Sequence, residues 1–180
     1  MRYYFYLVVF LTGLMFACHS SNLQPVDQPS LDQKSGVALY LVTSPANLGN
    51  DPAALDRATV SLSESPLIDY DEIESYTAGT YSFQIKDAAA DKLTGLSTTI
   101  PLAGRPFALV VDGMLMYYGY FWNPVSSFSS IYPIIALDKT SDNKTLLVYL
   151  MKLAPGGSIV ADPRNDSRLL NRLKQDNKLK

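Results

Sequence analysis

The sequence predicts a single small α+β domain, with a largely antiparallel sheet, helices packed on one face of it and a C-terminal helix. Its hydrophobic fraction of 47% and charged fraction of 18% are those of a globular domain. Runs of β-forming residues follow one another with few helical segments between them, which is typical of an antiparallel sheet. Two such runs, 107–111 and 114–118, flank Asp112-Gly113 and predict a type I′ hairpin.

The remaining elements follow from shorter patterns. The return strand of the hairpin is expected to reach Trp122, and apolar or alternating runs predict further strands at 37–42, 67–73, 81–85, 131–137 and 146–150. Residues 88–96 have helical spacing, with Asp87 as the predicted N-cap. A last helix is predicted to start at Asp162-Pro163 and to separate two sets of side chains, Leu169 and Leu173 on one side and Arg164, Arg168 and Arg172 on another.

The N-terminus has the form of an export signal. Arg2 precedes an uncharged apolar run over residues 3–17, and a polar stretch begins at His19. The segment Leu14-Met15-Phe16-Ala17-Cys18 resembles the bacterial lipobox, and this resemblance implies that Cys18 carries lipid that ties the protein to a membrane. A residue other than Asp after the Cys implies, by the same resemblance, the outer membrane. An ordinary cleavage site and an uncleaved anchor are the alternatives.

Four regions follow from these signals. Residues 1–17 are the predicted lipoprotein signal peptide, 18–35 the lipidated Cys and flexible tether, 36–160 the α+β domain, and 161–180 a basic C-terminal helix or tail. The polar, proline-containing tether is expected to span about 20 to 25 Å. The formal net charge is −2 and the domain has no dense basic stripe, so nucleic acid is not an expected partner.

Two segments resemble the exported head subdomain of the protein-translocation subunit SecD. They are residues 85–93, a strand leading into a helix, and residues 104–113, in which Gly-Arg-Pro begins a strand that ends at Asp-Gly. The resemblance implies a small α+β head used for protein contact, with no catalytic residue to transfer. The chain also resembles small bacterial lipoproteins of unassigned role, in which such a hairpin continues into segments like Phe121-Trp122 and Ser126-Ser127.

The domain lacks the residues on which much of enzyme chemistry depends. His19 and Cys18 are the chain's only histidine and cysteine, so residues 36–180 offer neither an imidazole base nor a thiolate. Zinc sites need mainly those two residue types, and no glycine-rich phosphate-binding motif occurs. We therefore predict no catalytic residue, no metal site and no cofactor.

Carboxylates are the remaining catalytic material. Asp69, Asp71, Glu72 and Glu74 crowd one short segment, which is compatible with a carboxylate-dependent hydrolase and equally with the solvated edge of a strand. On a strand, the two Asp would share one face and the two Glu the other. Residues 138–143 contain several possible calcium ligands, but their spacing misses the EF-hand pattern and predicts a turn.

The candidate binding surface is an aromatic row on the second strand of the hairpin. Tyr118, Tyr120 and Trp122 are expected on one face of that strand, with Tyr117 and Phe121 on the other. One row must face the core, and the other is either a recognition surface, extended by Ser126 and Ser127, or ordinary packing. The sequence thus predicts a lipid-anchored, non-catalytic binding or protein-interaction module of the cell envelope. Its expected partner is an envelope protein or a glycan; a glycan-binding lipoprotein and a hydrolase are the alternative functions.

Overall fold

A computed structural model describes residues 35–49, 55–137, 143–150 and 162–180. The predicted signal peptide, Cys18, and the tether up to residue 34 lie outside the described residues, as do residues 138–142 of the predicted turn. The described part is one eight-stranded sheet with two α-helices, which confirms the predicted α+β class. None of the helices in the described ranges is long and apolar enough to cross a membrane.

The strands of the described ranges form one sheet in the order β2-β1-β5-β6-β7-β8-β4-β3. All neighbours are antiparallel except β6 and β7, which are parallel. The elements are β1 Val37–Ser44, β2 Ser61–Leu62, β3 Ile73–Thr77, β4 Ser82–Ile85, α1 Asp87–Ser97, β5 Arg105–Val111, β6 Met114–Trp122, β7 Pro133–Ala136, β8 Thr145–Leu150 and α2 Ser167–Gln175. Short 3-10 helices occupy Arg57–Thr59 and Tyr70–Glu72.

The β5–β6 hairpin is confirmed. Asp112 and Gly113 have φ angles of 48° and 78°, as a type I′ turn requires at both central positions. The register pairs Val111 with Met114 beside the turn and shifts between Leu109 and Val110. The return strand continues to Trp122, as predicted. This hairpin lies near the middle of the sheet, so its two faces supply both hydrophobic clusters of the domain.

Both helices pack against the inner face of the sheet. Leu93 of α1 and Leu169 and Leu173 of α2 are fully buried in one cluster with Phe107 and Phe121 of the hairpin. The predicted placement of Leu169 and Leu173 on one side of the last helix is therefore confirmed. The second cluster lies on the outer face, where loops cover the sheet.

The starts of both helices differ from the sequence prediction. Helix α1 begins at Asp87 itself, with Lys86 as a cap residue that makes no side-chain capping bond. Helix α2 begins at Ser167 and is capped by the Asp166 carboxylate, which accepts from the backbone N–H of Arg168 at 2.9 Å. Asp162 instead binds the guanidinium of Arg164, at 2.8 and 2.6 Å, so it does not cap a helix. Arg164 consequently precedes the helix and is buried rather than lying on the exposed helix surface.

The predicted strand 67–73 is also wrong. Ile68 makes only an isolated bridge to Leu39, and a 3-10 helix intervenes before β3 begins at Ile73. The cause is local, because Asp69 and Glu72 form a capping box in which each side chain accepts from the backbone of the other end of the turn. These bonds favour the turn over an extended backbone.

The outer edge of β3 is covered by residues 178–180. The backbone N–H of Tyr76 donates to the carbonyl of Lys178 at 2.7 Å, and the N–H of Lys180 donates to the carbonyl of Tyr76 at 2.8 Å. The Lys178 ammonium donates to the carbonyls of Tyr70 and Ile73 at 2.7 and 2.6 Å. These hydrogen bonds hold residues 178–180 against the edge of β3, whose backbone groups would otherwise be unpaired.

Candidate functional site

The aromatic row of β6 lies in the outer-face cluster. Tyr118, Tyr120 and Trp122 are 8%, 5% and 6% exposed, whereas Tyr117 and Phe121 belong to the inner-face core. The predicted alternation of faces is therefore confirmed. The row does not form an open platform, because outer-face residues such as Leu48, Ile131 and Tyr132 pack over it. A role of these rings in binding stays a prediction.

Two tyrosine hydroxyls hold the segment after β1 in place. The Tyr120 hydroxyl accepts from the backbone N–H of Leu48 at 2.8 Å and donates to Asn47 Oδ1 at 3.0 Å. The Tyr132 hydroxyl donates to the carbonyl of Leu48 at 3.1 Å. Burial raises the pKa of Tyr120, so its hydroxyl stays protonated and can make both bonds. The rings thus fix residues 47–49 above the sheet.

A small cleft opens where this segment meets the loop between β6 and β7. Its volume is about 100 Å³, and Tyr120 and Trp122 contribute to its walls while Tyr118 does not. Tyr120 packs edge-to-face against Trp122 and against Tyr132, with ring centroids 6.3 and 5.9 Å apart. These contacts fix the orientation of the Tyr120 ring. The lining residues are Asn47, Gly49, Ala103, Tyr120, Trp122, Phe128, Ser129, Ser130, Ile131 and Tyr132.

The two candidate serines lie beside the cleft and do not line it. The Ser126 hydroxyl donates to the carbonyl of Leu102 at 2.6 Å and accepts from the N–H of Phe128 at 3.2 Å. It thereby joins the loop before β5 to the loop after β6. Ser127 is exposed on the same loop.

These joined loops carry three exposed apolar side chains. Leu102, Val125 and Phe128 are 55%, 79% and 58% exposed. Phe128 also lines the cleft, so one of these exposed side chains belongs to its wall. We call the cleft and these three residues the loop face. Its members Asn47, Phe128 and Tyr132 were not predicted from the sequence. The one available signal was the large aromatic residue Phe128 among the serines that follow Val125.

The loop face and the N-terminal entry to the domain lie at opposite ends of the central strands. The N–H of Gly36 donates to the Asp112 carboxylate at 2.8 Å, and Val37 pairs with Val111, so the chain enters beside the hairpin turn. Trp122 lies at the other end of the hairpin. The seven residues of β5 separate the two ends by about 20 Å at the usual rise per residue of a strand.

The acidic segment has structural contacts. Asp69 Oδ1 accepts from the N–H of Tyr70 at 2.7 Å, and Glu72 accepts from the N–H of Asp69 at 3.0 Å. The Glu72 carboxylate also binds the Lys92 ammonium at 2.7 Å. Burial opposes ionisation of Glu72, but these bonds to Asp69 and Lys92 lower its pKa overall. Asp71 and Glu74 are exposed, and the described ranges contain no cluster of side chains suited to a metal ion.

Comparison with known proteins does not assign the chain to a family. The chain matches no protein-family model, and a search of curated proteins finds no match. The resemblance of residues 85–93 and 104–113 to the SecD head therefore stays a prediction.

Proposed function

We propose that this chain is a lipid-anchored binding or protein-interaction module of the cell envelope, held at the outer membrane and acting without catalysis. The anchor is supported by the sequence around Cys18, where Ala17 ends an apolar leader and a polar tether follows. Several acyl chains on one cysteine hold a protein to a bilayer far more firmly than a single chain does. The tether then lets the folded domain stand clear of the lipid headgroups.

The observation that carries the binding role is the loop face. Leu102, Val125 and Phe128 keep their apolar surface in water although the domain has two well-filled clusters that bury other side chains of this kind. Exposed apolar side chains beside a cleft are typical of an interaction site. The hydrogen bond from Ser126 to Leu102 holds the two loops together, so the surface is formed before a partner arrives.

The position of the loop face indicates where the partner lies. Because the chain enters the domain beside Asp112, the loop face is about 20 Å further from the tether along the strands. The loop face therefore lies at the end of the domain away from the point where the tether is attached. This geometry favours a partner in the surrounding compartment over the lipid surface itself.

The hydrolase alternative receives no support from the carboxylates. Asp69 and Glu72 are engaged by the capping box and by Lys92. Paired catalytic carboxylates instead face a cleft that admits substrate, with pKa values that their surroundings move apart. The carboxylates of this segment do not line the described cleft.

Two measurements test the proposal. Mass spectrometry of the mature N-terminus is expected to find an acylated Cys18, and Cys18→Ser is expected to release the protein from membranes; an unmodified thiol in freely released protein refutes the anchor. For the binding role, cells producing the full chain are treated with a cross-linker and adducts are recovered in mild detergent. Phe128→Ala is expected to abolish adducts that the matched variant Met114→Ala keeps, since Met114 is 47% exposed at the hairpin turn, away from the loop face.

Both replaced side chains are substantially exposed, so both variants are expected to unfold at the same temperature as the unsubstituted protein. Equal loss of adducts in the two variants, or no loss in either, contradicts the assignment of the binding role to the loop face.

A further inference from the structure

The walls of the cleft are neutral as far as the structure describes them, because none of the ten described lining residues is charged. A charged ligand in such a site would lose its hydration without forming an ion pair, and burying an unpaired charge is unfavourable. A purely apolar ligand would in turn shield the Ser129 hydroxyl and the Asn47 amide nitrogen from water without offering them hydrogen bonds. The composition therefore favours a ligand that is neutral and carries hydrogen-bonding groups.

The arrangement of the aromatic rings adds a requirement for shape. Phe128 is 58% exposed at the cleft, whereas Tyr120, Trp122 and Tyr132 are buried and held edge-to-face. The cleft thus has one accessible ring and a floor of fixed ring edges. A ligand with a flat apolar face can pack on the ring of Phe128. Polar groups at the edge of such a ligand can then form hydrogen bonds with the polar residues of the cleft.

Hydrogen-bonding capacity remains at Asn47. Its Oδ1 already accepts from the Tyr120 hydroxyl at 3.0 Å and from the N–H of Gly49 at 2.9 Å. Its amide nitrogen, which has two donor hydrogens, has no partner among the described residues. Those donors suit the hydroxyl oxygens of a ligand.

From these features we infer that the cleft binds one neutral sugar ring, presented as the end of a glycan. A pyranose has a C–H face that packs on an aromatic ring and a rim of hydroxyl groups that accept from an amide. The cleft, with a volume of about 100 Å³, is too small to enclose an extended chain, so only the end of a glycan can enter it. This inference rests on the proposed binding role and names the ligand class of the loop face.

The test titrates the full mature protein with neutral monosaccharides, glucose, galactose and N-acetylglucosamine, and with the charged analogues glucosamine and glucuronic acid. Trp122 is the only tryptophan, so its fluorescence reports on the cleft, and saturation-transfer NMR detects the bound sugar independently. A neutral sugar is expected to bind and its charged analogues to bind at least about tenfold more weakly. Equal binding of neutral and charged sugars overturns the inference.

Three variants locate the binding. Phe128→Ala removes the accessible ring, and Asn47→Asp keeps the acceptor for Tyr120 while replacing the amide donor; each is expected to weaken binding about tenfold or more. Met114→Ala is the matched control, because Met114 is 47% exposed at the hairpin turn and does not line the cleft. Binding that survives both cleft variants overturns the inference.

The outcome also separates this inference from the proposed function. If neither method detects any sugar while adducts that depend on Phe128 persist in cells, the sugar assignment fails and the interaction role stands. If sugars and adducts are both absent, both fail.

Discussion

Gly119 is a position in the hairpin at which the addition of a single methyl group is expected to have a large effect on stability. It lies in β6, and a Cβ added there would lie 2.5 Å from Cζ of Phe107 and 2.6 Å from the carbonyl oxygen of Pro133. Ordinary contacts of such atoms are about 3.5 to 4.0 Å, so each neighbour would have to retreat by about 1 Å. Phe107 is fully buried against Phe121, with ring centroids 4.9 Å apart, and the Pro133 carbonyl belongs to the backbone of β7.

Gly119→Ala is therefore expected to lower the free energy of unfolding by about 2 kcal/mol. Overpacking a filled core costs about 1 to 3 kcal/mol, and the restriction that Ala imposes on the unfolded chain offsets less than 1 kcal/mol of it. For a domain near 150 residues this corresponds to a fall in melting temperature of about 4 to 8 °C. Urea and thermal unfolding, followed by circular dichroism and by Trp122 fluorescence, measure both quantities.

Gly95→Ala is the matched control for this prediction. Gly95 lies in α1, where an added Cβ meets nothing within 4 Å. Ala is favoured over Gly in a helix by up to about 1 kcal/mol, so this variant is expected to be more stable than the unsubstituted protein. A Gly119→Ala protein that is as stable as the Gly95→Ala protein would refute the argument from close packing in β6.

Three further substitutions test contacts around the last helix. Burial, together with a 2.6 Å hydrogen bond to Asp176, raises the pKa of Tyr70 from 10 to about 12. The protonated Tyr70 side chain therefore contributes its full stabilisation below pH 10, and this stabilisation is lost as pH rises toward 12. Tyr70→Phe is expected to reduce the loss of stability at alkaline pH in urea titrations. Asp166→Ala removes the N-cap of α2 and is expected to cost about 1 kcal/mol in urea unfolding. Bonds to Arg168 lower the Asp166 pKa from 3.8 to about 2, so the cost is expected to shrink as pH falls from 3.8 to 2. Lys178→Met removes charged hydrogen bonds to two carbonyls and is expected to cost about 2 kcal/mol, with faster amide hydrogen exchange at Tyr76; unchanged exchange would contradict it.

Features set by neighbouring residues were predictable. Asp112 and Gly113 are residues that tolerate positive φ, so their position between two β-forming runs predicted the hairpin. The spacing of Leu169 and Leu173 likewise predicted which side of α2 is buried. In each case the pattern and the contact lie within a few residues of each other.

Competing local bonds explain the errors at the element ends. Asp162 and Asp166 are both residue types that cap helices. In the structure Asp162 binds Arg164, and Asp166 is the N-cap of α2. The same holds for the strand predicted at 67–73, because alternation of residue types does not reveal that Asp69 and Glu72 close a turn.

The candidate site was partly predictable. Alternation along β6 placed Tyr120 and Trp122 on one face, but the residues that cover this face come from segments without a periodic pattern. Asn47 and Tyr120 are 73 positions apart in the chain, and their contact depends on the order of the strands in the sheet. Such long-range neighbours cannot be read from spacing.

The pairing of residues 178–180 with β3 has a consequence for biosynthesis. About a hundred residues separate Lys180 from the Tyr76 backbone that it binds, so a growing polypeptide makes β3 long before it makes the segment that covers it. Until then the exposed margin offers free amides and carbonyls to any other extended chain nearby. A nascent molecule that has made β3 but not residues 178–180 is consequently more vulnerable to aggregation than the folded domain.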